Sequence, residues 1–282
     1  MTACFFASDL HGKTDRYRTL FDAISAERPK AVFIGGDILP NLAHPGAGGD
    51  FLEDFLFAEL ARLRNGLGDT YPRVFVILGN DDPRAVEGSL IEAAGEGLLS
   101  YMHGRKEFLE QWAVYGYAHT PPSPFLLKDW ERYDVSRYVD PGCVSPEEGW
   151  RTVEVAPDDA QFSTIARDLE ALAGSDDLEN AVFLFHAPPH ESNLDRAGLD
   201  GRTFDHAPLD LHVGSIAIRR FIEARQPLLT LHGHVHESSR ITGFWRDRLG
   251  RTIALSAAHD GPELALVRFD LEDPFNATRE LL

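Results

Sequence analysis

Five apolar runs in this chain end directly in residues that bind metals. Ala3-Cys4-Phe5-Phe6-Ala7 leads into Ser8-Asp9-Leu10-His11, Ala31-Val32-Phe33-Ile34 into Gly35-Gly36-Asp37, and Val74-Phe75-Val76-Ile77-Leu78 into Gly79-Asn80-Asp81-Asp82. Ala181-Val182-Phe183-Leu184-Phe185 leads into His186, and Leu228-Leu229-Thr230-Leu231-His232 into Gly233-His234-Val235-His236. Taken singly, each polar residue has a plain structural role, because Asp and Asn cap helices after strands and a lone His bonds a loop carbonyl. Recurrence at five strand ends favours a shared site. His234 and His236 are two apart and share a face in a regular strand, while Gly233 lets the backbone turn tightly and approach an ion. Asp9, His11, Asp37, Asn80, His186, His234 and His236 are more ligands than one ion needs, and suit two ions about 3.5–4 Å apart that share a carboxylate. The set lacks sulfur and is richer in imidazole than magnesium or calcium sites, which favours manganese, iron or zinc.

The elements that must position these groups follow from the pattern around them. Short continuous apolar runs read as strands covered on both faces. Tyr17, Leu20, Phe21 and Ile24 recur at helical spacing over 14–27 and Pro29 stops that helix; further helices are expected over 50–64, 158–172 and 215–224. Alternating strands and helices imply parallel pairing by right-handed crossovers, with ligands gathered beyond the carboxyl ends of the strands. Pro40 to Gly49 reads as a loop near the site. The segments 241–245, 252–256 and 264–269 have the spacing of an antiparallel meander. The expected organisation is a single domain over 1–282 with an insertion or cap-like segment at about 98–150. Within it, Phe125, Trp130, Tyr133 and Tyr138 are expected to wall the substrate site.

Composition narrows the class. A chain of 282 residues with 43% hydrophobic residues holds a sizeable core. The formal charge of -18 repels nucleic acid and anionic lipid, so a phosphate-bearing substrate needs local cations. Cys4 and Cys143 form no C-x-x-C pair, and no apolar stretch reaches membrane-spanning length. A cytoplasmic protein with no membrane partner is expected.

In motif order, Asp9-Leu10-His11, Gly35-Gly36-Asp37, Gly79-Asn80-Asp81-Asp82, His186-Ala187-Pro188-Pro189 and Gly233-His234-Val235-His236 resemble the calcineurin-like metallophosphoesterases over nearly the whole chain. The Pro121 to Phe125 turn and His212-Val213-Gly214-Ser215 also resemble a prokaryotic branch of predicted phosphohydrolases. The resemblance implies an α/β fold, a four-layer αββα sandwich of two mixed β-sheets flanked by helices. It implies that Asp9, His11, Asp37 and His236 hold one ion, and that Asp37, Asn80, His186 and His234 hold the other, with Asp37 bridging.

Asp81 departs from the pattern, because many relatives have a histidine there that protonates the leaving group or braces the phosphate. A carboxyl ordinarily titrates near 3.9 and a nearby dication favours its ionised form, so Asp81 is expected to be a poor acid at neutral pH. Asp82 aligns with the family's acidic position and is expected to orient its neighbours. His119, His190, His206 and His212 are candidate substitutes. The expected activity is hydrolysis of a small phosphorylated substrate, with a hydroxide bridging the ions attacking phosphorus in line. Without a good acid, leaving groups that depart as stable anions are favoured, hence aryl phosphodiesters over alkyl phosphomonoesters. The alternatives are a noncatalytic metal-binding scaffold and a nuclease of the same superfamily, the latter disfavoured for long nucleic acid by the charge.

Overall fold

A computed structural model describes residues 2–40 and 50–282, so the loop expected from Pro40 to Gly49 lies, apart from Pro40, outside the described residues. Two six-stranded sheets carry the fold. In the first, β1 (Ala3–Ala7), β2 (Ala31–Gly35), β3 (Arg73–Ile77) and β4 (Ser100–Tyr101) pair in parallel, and β13 (Ala265–Asp270) and β14 (Asp273–Leu281) extend the sheet antiparallel beyond β1. In the second, β5 (Arg105–Leu109), β6 (Trp112–Tyr117), β7 (Ala181–Phe185), β10 (Leu229–His232), β12 (Thr252–Ser256) and β11 (Arg246–Leu249) follow in that spatial order. There β6, β7, β10 and β12 run parallel and the two edge strands antiparallel. A small hairpin, β8 (Thr203–Phe204) with β9 (Ala207–Pro208), lies outside both sheets.

The alternation within the buried strands explains the layering. Val182, Leu184, Leu229 and Leu231 join one core with the residues of β1 to β3, so the two sheets face one another. Phe183, Phe185 and Tyr115 point the other way, under Leu169 of α5 (Ile165–Ala173) and Ile218 and Phe221 of α6 (Ile216–Arg225). On the far side of the first sheet, Tyr17, Leu20 and Ile24 of α1 (Thr14–Glu27) and Leu60 of α2 (Ala58–Leu67) are buried, the apolar stripe of an amphipathic helix. The result is the expected four-layer αββα sandwich. Three short helices, α3 (Glu87–Gly95), α4 (Pro157–Phe162) and α7 (Ser238–Thr242), complete the described set, and none of its helices is long and apolar enough to cross a membrane.

Several expectations change. The helix expected over 158–172 is two helices, broken where Thr164 turns extended to cap α5 through its bond from Arg167 N. The helix expected over 50–64 opens with a wide π-turn, Leu52–Phe57. The strand expected at 241–245 is instead the end of α7 and its Gly243 cap, whose φ of 78° stops the helix. No meander forms, because β12 lies parallel to β10 in one sheet while β13 joins the other. The stretch expected as an insertion starts with three sheet strands, β4 to β6, and only the part after Tyr117 runs outside the sheets.

Candidate metal centre

The turns expected to bear ligands come from both sheets, not from one sheet edge. Asp9, Asp37 and Asn80 follow β1, β2 and β3, while His186, His234 and His236 follow β7 and β10. Backbone bonds lock the first group together, with Asp9 N donating to Gly36 O at 3.0 Å and His11 N to Asp37 O at 2.8 Å. The second group joins through Gly233 N to His186 O at 2.9 Å and His234 N to Asp9 Oδ1 at 3.0 Å. Four site residues sit in the left-handed region, Asp9 at φ 56°, His11 at 47°, Asp37 at 51° and His234 at 73°. Such a conformation costs a non-glycine residue about 1–3 kcal/mol and persists only where the surroundings over-determine it. Gly233 is required for space: a Cβ there would lie 2.0 Å from Ser8 Oγ and 2.8 Å from Asp9 Oδ2.

Asp9, His11, Asp37 and His236 each offer a donor atom within 4.8 Å of the others, which brings together the set expected for one ion. His11 Nε2 and His236 Nε2 face each other at 3.1 Å. Asp9 is fully buried, and its Oδ2 has no hydrogen-bond partner. An orphaned buried carboxylate oxygen beside two converging imidazoles is costly alone and suited to a cation. The second expected set is tied by side-chain contacts. His186 Nε2 lies 3.0 Å from Asn80 Oδ1 and 3.3 Å from Asp37 Oδ2, and its ring packs edge-on against His234 at 5.2 Å. His186 Nδ1 faces the carbonyl of Gly35 at 2.8 Å; a carbonyl only accepts, so Nδ1 carries the hydrogen. Nε2 then meets two oxygen acceptors, an arrangement that needs a proton or a metal between them.

The field of the site is cation-seeking. Burial alone would raise the Asp9 carboxyl, but the imidazoles of His236, His186 and His11 hold it well below the ordinary range. Burial likewise opposes ionisation of Asp37, yet His186 and His11 bring it down to about 2. Against its own burial, His186 is pushed up to about 10 by the charge of Asp37 and their contact. His234 goes the other way, to about 4, through burial and the charge of His186.

Asp81 lies beside the centre, accepting from Asn80 Nδ2 at 2.9 Å and donating its backbone N–H to Asp37 Oδ1 at 2.9 Å. Burial first and Asp37 second push its carboxyl up to about 6, so in the field of the protein alone it is less acidic than its type predicts. Asp82 is fully buried and accepts from Ile38 N at 3.1 Å, Leu39 N at 2.9 Å and Gly79 N at 2.9 Å. It ties the Asp37 turn to the Asn80 turn and acts through them.

The centre opens into a cleft of about 450 Å³ lined by His11, Lys13, Arg16, Pro40, Asp81, His236, His259 and Asp260. Lys13, Arg16, His259 and Asp260 are not among the expected site residues. For His259 the sequence carries the same signal as the others: Ile253-Ala254-Leu255-Ser256-Ala257-Ala258 is an apolar run that ends in a histidine. The candidate substitutes for the missing acid lie elsewhere. His119 is buried among His103, Tyr117 and Trp130 and held neutral by that burial. His206 sits in the β8–β9 turn. His190 and His212 face a separate cavity of about 330 Å³, with Pro121, Tyr138 and Phe204, that shares no lining residue with the cleft. Trp130 and Tyr133 are buried, so the aromatic wall expected over 121–138 is in part core.

A model of the calcineurin-like phosphoesterase family matches residues 4–238. No curated protein matches the sequence. Among solved structures, TT1561 of Thermus thermophilus is 16% identical, with 99% of this chain and 98% of that one covered and a TM-score of 0.56. A dimetal phosphatase from Danio rerio is 13% identical, with 94% and 91% covered and a TM-score of 0.53. Identities this low establish likeness of fold alone.

Proposed function

Since the chain belongs to the calcineurin-like phosphoesterase family, we propose that it is a dinuclear metal-dependent hydrolase of a small phosphorylated substrate, with phosphodiesters preferred over phosphomonoesters. The observation that carries this reading is the convergence of Asp9, His11, Asp37 and His236 around an unpartnered carboxylate oxygen. When bound, manganese, iron or zinc ions lower the pKa of water and neutralise phosphoryl oxygens. Asp9, His11, Asp37 and His236 would hold one ion, and Asp37, Asn80, His186 and His234 the other. The strained turns fix these donors before substrate arrives, which spares reorganisation during the reaction.

The cleft supports the preference for diesters. Asp81 and Asp260 add negative charge to its wall, against Lys13 and Arg16. A phosphomonoester carries close to two charges at neutral pH and a diester one, so the carboxylates oppose the monoester more. Burial is the larger cause of the raised Asp81 carboxyl and the Asp37 charge the second, and a cation on Asp37 would offset only the second. The -18 charge of the chain disfavours long nucleic acid, and the two free cysteines, Cys4 and Cys143, suit the reducing cytoplasm.

The test compares kcat/KM for p-nitrophenyl phosphate and bis(p-nitrophenyl) phosphate with added manganese. Preference for the diester is expected, and Asp81→His should narrow it. Preference for the monoester would overturn the substrate reading, and an active preparation stripped of metal would overturn the metal reading. A metal-loaded protein that cleaves neither would favour the scaffold.

A further inference from the structure

His259 follows β12, which runs parallel to β10, so it leaves the second sheet at the edge that carries His234 and His236. It lines the cleft with Asp81, His11 and His236, and among the described residues it is the one cleft histidine outside the expected ligand set. Its Nε2 lies 3.0 Å from Glu263 Oε2. The pair closes over Gly261, where a Cβ would lie 2.4 Å from both of those atoms. Arg16 clamps this loop to the metal turn. It is 4% exposed and donates from Nη1 to Asp9 O at 2.7 Å, from Nη2 to Gly261 O at 2.5 Å and from Nε to Pro262 O at 3.3 Å. One buried guanidinium therefore fixes the position of the His259 loop relative to the ligand Asp9. A histidine held on one nitrogen by a carboxylate, on a loop braced against the reacting centre, has the build of an oriented proton donor.

We infer that His259 is a catalytic residue that protonates the departing alkoxide of a phosphodiester, with Glu263 and Arg16 as positioning residues. The inference rests on the phosphodiesterase reading above. As water adds to phosphorus, the P–O bond to the leaving group breaks and its electron pair stays on the leaving oxygen. That oxygen takes the proton of the cationic imidazole, which becomes neutral with Glu263 still bonded to its other nitrogen. The attacking water loses one proton to bulk solvent as its oxygen bonds to phosphorus, and bulk solvent returns a proton to the imidazole. The titratable groups that line the cleft with it are His11, Lys13, Arg16, Asp81, His236 and Asp260, and Glu263 is bonded to its ring. With this donor the leaving group need not be a stable anion, so the substrate class widens to dialkyl phosphodiesters.

The experiment uses the manganese-loaded full chain with two diesters, one with a p-nitrophenyl and one with a simple alkyl leaving group. His259→Ala is expected to lower kcat for the alkyl diester by about 10²-fold, the scale of general acid catalysis, and to change the aryl diester by less than about threefold. Metal content should be unchanged, and added imidazole should restore part of the alkyl rate. Glu263→Gln, which keeps the shape of the loop, should lower alkyl kcat with KM unchanged. Equal loss on both diesters, or no loss on either, overturns the assignment of His259. If the wild-type chain cleaves neither diester, the phosphodiesterase reading itself fails and this assignment falls with it.

Discussion

His186 Nδ1 lies 2.8 Å from the carbonyl oxygen of Gly35, a bond that joins the end of β7 in one sheet to the end of β2 in the other. It fixes which ring nitrogen is free, and that nitrogen lies 3.3 Å from Asp37 Oδ2. His186→Ala should therefore remove one ion and leave the other. Asp37→Ala should remove both. Elemental analysis of the purified variants checks this, and turnover should fall in each by at least about 100-fold, the upper end of what loss of an outer-shell partner costs. A His186→Ala protein with its full metal complement would contradict the pairing of ligands.

A second prediction concerns space. In Gly233→Ala the new Cβ meets Ser8 Oγ at 2.0 Å and Asp9 Oδ2 at 2.8 Å, so it displaces the carboxylate proposed as a metal ligand. Stability should fall by about 1–3 kcal/mol, as for an overpacked core position, and metal affinity should fall with it. The double variant Ser8→Ala with Gly233→Ala removes the nearer clash and leaves the one with Asp9. Denaturation should then recover more fully than metal affinity, and recovery of both together would show that Asp9 is not the group being pushed.

Much of this centre is legible because strands buried on both faces read as unbroken apolar runs, and a polar residue ending such a run stands out. All five turns identified that way meet in the structure. His259 escapes because the spacing around its strand suggests a meander, which sets Thr252 to Ser256 apart from the strand-and-helix units whose ends carry the expected ligands. Nothing in Thr252 to Ser256 says whether β12 lies parallel to β10, since direction is set by the α7 and β11 crossover. Trp130 is illegible for another reason. Its neighbours Lys128, Asp129 and Glu131 are charged, as on a surface loop, yet all are buried, with Lys128 Nζ bonded to Ser123 O at 3.0 Å and Glu131 accepting from Ser123 N at 2.8 Å. Lys128 pairs with Glu131, and Asp129 accepts from the backbone N–H groups of Arg84 and Thr152, so the charge that makes the segment look exposed is satisfied inside.

The third prediction follows from that burial. Trp130 has no exposed surface and packs against His103, with ring centroids 4.8 Å apart, beneath the guanidinium of Arg84. Trp130→Ala should destabilise the protein by about 3–5 kcal/mol, the cost of emptying a large aromatic site. KM for an aryl diester should stay within about twofold at a temperature where the variant is folded. A large rise in KM with unchanged stability would return this residue to the substrate wall.

The fourth prediction is a pH dependence of the metal-free protein. His186 is raised from 6.5 to about 10 and Asp37 lowered from 3.8 to about 2, two sides of one contact. A raised imidazole stabilises fully below its unfolded value and loses that contribution as pH rises through its folded value. The depressed carboxylate stabilises above its unfolded value and loses its contribution as pH falls. The pair therefore contributes most between 3.8 and 6.5, and its contribution fades from pH 6.5 towards 10. Asp81 and Asp82, raised to about 6 and about 7, act in the same sense, since each binds its proton more tightly when folded and costs stability as pH climbs from 3.8. Both effects leave the stripped protein weaker above neutrality than in mild acid. Metal binding takes the place of the His186 proton, so uptake of manganese at pH 7 should release protons and should flatten the decline. Calorimetry in two buffers of different ionisation enthalpy measures the release, and chemical denaturation from pH 6 to 10, with and without metal, measures the slope. A stripped protein equally stable across that range, with no protons released on loading, would mean that His186 enters the site already neutral.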